Sequence, residues 1–110
     1  MDRPKVLAGD TIKVKTGCGN LYITINVNGD GPIEIFASLG KAGGCSNVQN
    51  EALTRAISLG LKYGVPIKEF VDELKDLQCP NPSMWPEEDR ILSCPDGIAK
   101  VLEKYVKKIS

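Results

Sequence analysis

The sequence predicts an α+β domain in which a three-stranded antiparallel sheet is covered on one face by about three helices. Three observations predict this fold. Alternating apolar residues dominate positions 11–39, apolar residues at helical spacing dominate the rest, and 42% of the 110 residues are hydrophobic, which is enough for one core. Because strands precede helices along the chain, the helices are expected on one side of the sheet. Residues 1–110 are expected to form a single domain.

The first part of the chain is predicted to be a β-meander over residues 11–39. Residues 1–10 are predicted to be an extended lead-in, because Pro4 disfavours a helix. In the clearest run, Leu21 to Val27, apolar and polar residues alternate with period two. Short turns rich in glycine and asparagine separate the runs. Three strands joined in this way form an antiparallel sheet with one apolar face.

Residues 46–110 are predicted to be helical apart from an irregular segment at 78–94. Ser46 begins a capping-box signature, which predicts the start of the first helix. Pro66 begins a second helix, which is expected to continue as far as the Cys-Pro pair at positions 79 and 80. Pro95 suits the first turn of the last helix.

Composition excludes several function classes. Fourteen basic residues balance fourteen acidic ones, so no net charge attracts nucleic acid, which is not expected as a partner. A lysine cluster near the C-terminus is explained as a solvated helix face. No signal peptide and no apolar run of roughly 18 residues is present, so we expect a cytoplasmic protein without membrane contact. Histidine is absent, which excludes imidazole-based catalytic triads.

The most distinctive chemistry lies in four cysteines, Cys18, Cys45, Cys79 and Cys94. Each is expected at the boundary of a strand or helix and lies beside glycine or proline. Without a secretory signal the thiols are expected to stay reduced. Four thiolates suit the tetrahedral preference of zinc, and such a site would tie the irregular segment to the sheet. The sequence therefore predicts a structural zinc site.

Three alternatives to zinc remain, because the four ligands would come from separate loops rather than from paired CxxC motifs. The cysteines could be inert boundary residues, or they could form redox-active pairs. They could also ligate an iron–sulfur cluster, although zinc is favoured over a cluster. The carboxylates form no convincing catalytic pair, so no catalytic residue is predicted.

The loop between the third strand and the first helix is a second candidate site, for a nucleotide or another anion. Its candidate residues are Lys41, Gly43, Gly44 and Ser46. Glycines expose backbone N–H groups, a helix N-terminus favours anions, and a lysine neutralises charge. The spacing matches neither the P-loop nor the dinucleotide fingerprint. A simple connection, or a loop that presents Cys45, is therefore favoured over anion binding.

Three blocks of the sequence resemble the TSCPD domain family: Thr16–Asn26, Phe36–Cys45 and Leu92–Lys100. The lead-in at positions 3–11 resembles the segment that precedes this domain, so the resemblance covers nearly the whole chain. The family's domain occurs near the C-terminus of adenosylcobalamin-dependent (class II) ribonucleotide reductases and as small separate proteins.

The resemblance implies a context of deoxyribonucleotide supply. A reductase subunit, a nucleotide or a second copy of the chain is the expected partner. The catalytic barrel of the reductase has no counterpart in 110 residues, so this chain is not expected to reduce a ribonucleotide alone. Our leading hypothesis is a stand-alone accessory module that binds zinc through the four cysteines. The alternatives are a thiol–disulfide redox carrier for a reductase and a nucleotide-binding regulatory module.

Overall fold

The computed structural model describes residues 4–17, 19–29, 31–40, 44–80, 82–83 and 90–109. Within them the chain forms three strands and then three helices, which confirms the predicted α+β class. Their bounds are β1 (Ala8–Thr16), β2 (Gly19–Val27), β3 (Pro32–Leu39), α1 (Gly44–Lys62), α2 (Ile67–Leu74) and α3 (Cys94–Ile109).

The sheet is the predicted antiparallel meander in the order β1-β2-β3. β1 begins at Ala8, three residues before the predicted start, because the ladder continues to the pair Ala8 and Val27. Gly9 permits this extension, since a Cβ atom at that position would collide with the carbonyl oxygen of Ile25. The stretch 8–10 contains no apolar alternation, and for this reason the pattern did not reveal it as a strand.

The core lies between the sheet and the helices. Period-two alternation places most of the apolar residues of β2 and β3 on one face, and α3 supplies most of the opposing side chains. Each large apolar side chain buried there contributes about 1.5–3 kcal/mol. The buried core residues include Leu21, Ile23, Ile25, Ile35, Leu39, Ile57, Val71, Ile98, Val101, Leu102 and Tyr105.

Helix α1 covers the free edge of β3 through two polar side chains. The hydroxyl of Ser58 accepts a hydrogen bond from the backbone N–H of Ile35 at 2.9 Å and donates one to its carbonyl at 3.0 Å. The side-chain amide of Asn47 makes the same two bonds to Leu39, at 2.8 and 3.3 Å. An edge strand leaves backbone groups unpaired, and these side chains satisfy them.

Replacing Ser58 with alanine is expected to lower the free energy of unfolding by about 1–2 kcal/mol, because the partly buried backbone groups of Ile35 lose their partner. Urea unfolding monitored by circular dichroism measures this difference. Ser38→Ala is the matched control, since Ser38 is exposed on β3. Equal stability losses in the two variants would contradict the proposed edge contact.

A second long-range contact ties α3 to the first strand. The hydroxyl of Tyr105 donates a hydrogen bond to the carboxylate of Asp10 at 2.7 Å. Burial, the hydrogen bond to Asp10 and the charge of Asp10 together raise the pKa of Tyr105 to about 12. The later part of α3 is thereby anchored near the start of β1.

Candidate cysteine site at one end of the sheet

The first turn of α3 is held by the segment Ser93-Cys94-Pro95-Asp96. The hydroxyl of Ser93 accepts a hydrogen bond from the backbone N–H of Asp96 at 3.0 Å, which caps the helix. The same hydroxyl donates to the carbonyl of Leu77 at 2.6 Å. Ser93 therefore joins the helix start to the segment that follows α2.

The carboxylate of Asp96 is fully buried and accepts three hydrogen bonds. The donors are the backbone N–H of Asp76 at 2.7 Å, the backbone N–H of Leu92 at 2.9 Å and the ammonium of Lys100 at 2.7 Å. Burial alone would raise the pKa of Asp96, but the bonds from Lys100, Leu92 and Asp76 and the charge of Lys100 together lower it. The carboxylate is thus held ionised in the first turn of α3, where the helix dipole also favours negative charge.

The end of α2 follows from these contacts. The helix was predicted to reach Cys79, but it ends at Leu74. Asp76 then adopts a φ of 68°, a left-handed conformation that a residue other than glycine seldom adopts. In this conformation its backbone N–H reaches Asp96. The prediction was wrong because the partner that ends the helix lies twenty residues further along the chain.

Cys94 and Cys79 lie on neighbouring parts of this structure. Cys94 is the first residue of α3 and packs, partly buried, against the core. Cys79 is also partly buried, and its backbone N–H donates to the carbonyl of Leu92 at 2.9 Å. The backbone of Cys79 therefore runs beside a residue two positions before Cys94.

Cys45 lies in the first turn of α1 and is exposed. The helix begins at Gly44, two residues before the predicted cap, so Ser46 lies inside the first turn and is exposed as well. Asn47 holds this turn to Leu39, which pairs with Leu21 in β2. The start of α1 therefore lies at the end of the sheet where β2 begins.

The first turn of α3 lies over the same end of the sheet. A Cβ atom at Gly97 would contact the side chains of Val14 and Leu21, at 3.4 and 3.8 Å. Thr16 and Gly19 pair at this end and close the hairpin of β1 and β2. Cys18, which lies between them in sequence, is outside the described residues. The structure thus brings the segments that carry Cys45, Cys79 and Cys94 to one end of the sheet.

The three described cysteines are free thiols. Among residues 4–17, 19–29, 31–40, 44–80, 82–83 and 90–109, no three cysteine, aspartate or glutamate side chains are grouped closely enough to hold a metal ion. Lys41 and Gly43 of the predicted anion-binding loop lie outside the described residues. Gly44, with a φ of 60°, opens α1.

Asp96 was not identified from the sequence as the residue whose side chain links the start of α3 to the segment after α2. A signal for it was present, because serine followed three residues later by an acidic residue marks the start of a helix. Ser93 and Asp96 have this spacing.

These features define a small α+β domain in which the first turn of the last helix organises one end of the sheet. The chain belongs to the TSCPD domain family, whose profile matches residues 2–106. The last four letters of that name, taken as one-letter amino-acid codes, correspond to Ser93-Cys94-Pro95-Asp96 here. The family name therefore corresponds to the segment that begins α3. In this segment Ser93 caps the helix, Cys94 is a candidate metal ligand and Asp96 is the buried carboxylate.

Similar proteins include vitamin B12-dependent ribonucleotide reductases. That of Agrobacterium fabrum is 39% identical over 70 residues, which cover 63% of this chain and 6% of the reductase. That of Streptantibioticus cattleyicolor is 32% identical over 76 residues, which cover 68% of this chain and 13% of the reductase. The matched segment is therefore a small fraction of these relatives' length.

No solved structure shows significant similarity to this chain. Among the described helices, none combines the length and the apolar character that crossing a membrane requires.

Proposed function

We propose that this domain is a metal-braced accessory module in which Cys18, Cys45, Cys79 and Cys94 bind one zinc ion. The observation that supports this proposal is convergence at one end of the sheet. The first turn of α1, the first turn of α3 and the backbone of Cys79 all approach the end at which Thr16 pairs with Gly19. The segments that carry Cys45, Cys79 and Cys94 are far apart in sequence but lie at the same end of the sheet.

The chemistry of the donors suits a thiolate site. Cys45 and Cys94 lie in the first turns of helices of 19 and 16 residues, where backbone N–H groups without an intrahelical partner can donate hydrogen bonds to a metal-bound sulfur. Zinc is redox-inert and accepts four thiolates in a tetrahedral arrangement, so it would brace the connections without supplying a reaction. An iron–sulfur cluster also accepts four thiolates, and iron content distinguishes it from zinc.

The proposed context is ribonucleotide reduction, with a reductase polypeptide as the partner. It is supported by the relatives, which are vitamin B12-dependent ribonucleotide reductases that contain the matched segment as 6% and 13% of their length. The module would act by binding rather than by catalysis. The hydrogen-bonded residues around Asp96 cap α3 and connect it to the segment after α2, so we assign them a structural role.

Single substitutions of the cysteines by serine test the site. Each is expected to weaken zinc affinity roughly 100-fold, because about 10–16 kcal/mol of binding free energy is shared among four ligands. Competition with a zinc-sensitive dye under reducing conditions measures the affinity. Ser46→Ala is the control, since Ser46 is an exposed neighbour of Cys45 and supplies no thiolate.

Unchanged affinity in all four variants would overturn the metal site. Iron bound in place of zinc would replace it with a cluster. Reversible disulfide formation between two of the cysteines, without metal in the protein as purified, would favour a redox carrier instead.

A further inference from the structure

The second face of the sheet carries two exposed aromatic side chains. The helices pack against the face formed by residues such as Ile23 and Ile35, so the residues between them in sequence occupy the opposite face. There Phe36 is 50% exposed and Tyr22 is 38% exposed. Large aromatic side chains on a sheet face against which no described helix packs are available for stacking.

The two rings lie on adjacent strands. Thr24 pairs with Phe36, and Tyr22 pairs with Ser38, so Tyr22 and Phe36 are diagonal neighbours, a relation in which Cα atoms are about 7 Å apart. The ring of Tyr22 lies against the backbone of Gly40, where a Cβ atom would be 3.1 Å from its Cε2 atom. This contact limits the movement of the ring on one side.

Positive charge lies beside Tyr22. Lys13 pairs with Tyr22 across the ladder, and Lys15 pairs with Asn20, so both lysines project from β1 onto the same face. Both are exposed, and neither forms an ion pair with any residue in the described part of the chain. The acidic residue described on this face is Glu34, two positions before Phe36 on β3, and its carboxylate accepts a hydrogen bond from Asn26 at 2.8 Å.

We propose that this face binds single-stranded nucleic acid, with bases stacked on Tyr22 and Phe36 and backbone phosphates at Lys13 and Lys15. Every nucleobase has a π face, so two neighbouring rings accept successive bases with little sequence preference. The four-stranded sheet of the RNA-recognition motif binds single strands in this way, through aromatic side chains exposed on its strands. A free mononucleotide would use only one of the two rings.

The proposal revises one expectation from composition and is independent of the metal site. Equal numbers of acidic and basic residues argued against a nucleic-acid partner, but net charge describes the whole surface. The local charge next to Tyr22 is positive, because Lys13 and Lys15 have no carboxylate partner among the described residues. The four cysteines are not used.

Fluorescence anisotropy with a labelled oligothymidylate of about eight nucleotides, at about 50 mM salt, tests the aromatic contacts. The intact protein is expected to bind it saturably, and Phe36→Ala is expected to weaken binding at least about 5-fold. Tyr63→Ala is the matched control, because Tyr63 is 77% exposed but follows α1 and belongs to none of the three strands. Phe36→Leu keeps apolar volume without a ring and decides the result if the alanine variant does not fold.

The salt dependence tests the phosphate contacts. Two contacts predict a slope of about −1.4 in a plot of log affinity against log salt, and Lys13→Ala should reduce its magnitude by about 0.7. Lys104→Ala is the control, since Lys104 is exposed on α3. Absence of saturable binding, or unchanged binding in both Phe36 variants, would overturn the proposal. Thymidine monophosphate that binds as tightly as the oligomer would also overturn it and point to a free nucleotide.

Discussion

Replacement of Asp96 by alanine is expected to lower the free energy of unfolding by about 3–4 kcal/mol. The fully buried carboxylate accepts bonds from two backbone N–H groups, those of Asp76 and Leu92, and from the ammonium of Lys100. Each buried donor left without a partner costs about 1–3 kcal/mol, and the ammonium loses its counter-charge. Urea unfolding at neutral pH measures the loss.

Asp72→Ala is the matched control for this substitution. Asp72 also accepts a hydrogen bond from a lysine four residues away, at 2.7 Å, but both side chains are more than half exposed. Exposed pairs of this kind contribute less than about 1 kcal/mol. If the two variants lost equal stability, Asp96 would not be the residue that joins α2 to α3.

Removal of the proposed zinc ion is expected to have an effect of similar size. A ligand that binds only the folded state adds about 4 kcal/mol of stability when its free concentration is 1,000 times its Kd. Chelation of the reduced protein should therefore lower the urea midpoint strongly, and zinc addition should restore it. The physical reason is that the bound ion would tie the first turn of α1 to the first turn of α3 and to the segment around Cys79.

The Cys94→Ser variant is the reference for the chelation experiment. Its urea midpoint should fall much less on chelation than that of the intact protein, because the loss of one ligand weakens zinc binding roughly 100-fold. Magnesium should not replace zinc in the intact protein, since it prefers oxygen ligands. An effect of the chelator that is equal in the variant and the intact protein would show that it does not act through these thiols.

The elements that could be predicted from sequence are those whose pattern is local. The alternation from Leu21 to Val27 specified β2 and its inward face, and the buried residues of that strand are the predicted ones. The early start of β1 could not be found, because the stretch 8–10 does not alternate and Gly9 is explained only by a close approach to β2.

The end of α2 depends on a distant partner, and for this reason local propensity placed it too late. The chain leaves the helix at Leu74 because the buried carboxylate of Asp96 accepts a hydrogen bond from the backbone N–H of Asp76.

The spatial arrangement of the cysteines could likewise not be predicted from local sequence. Their boundary positions were visible in the sequence, but only the tertiary fold brings the starts of α1 and α3 to one end of the sheet.

The metal content of the untagged protein, purified under reducing conditions, tests the central claim most directly. Elemental analysis is combined with a thiol titration before and after chelation. We expect about one zinc ion per chain and four thiols that react with the titrant only after chelation. Absence of bound metal, together with four thiols that react at once in the folded protein, would contradict it.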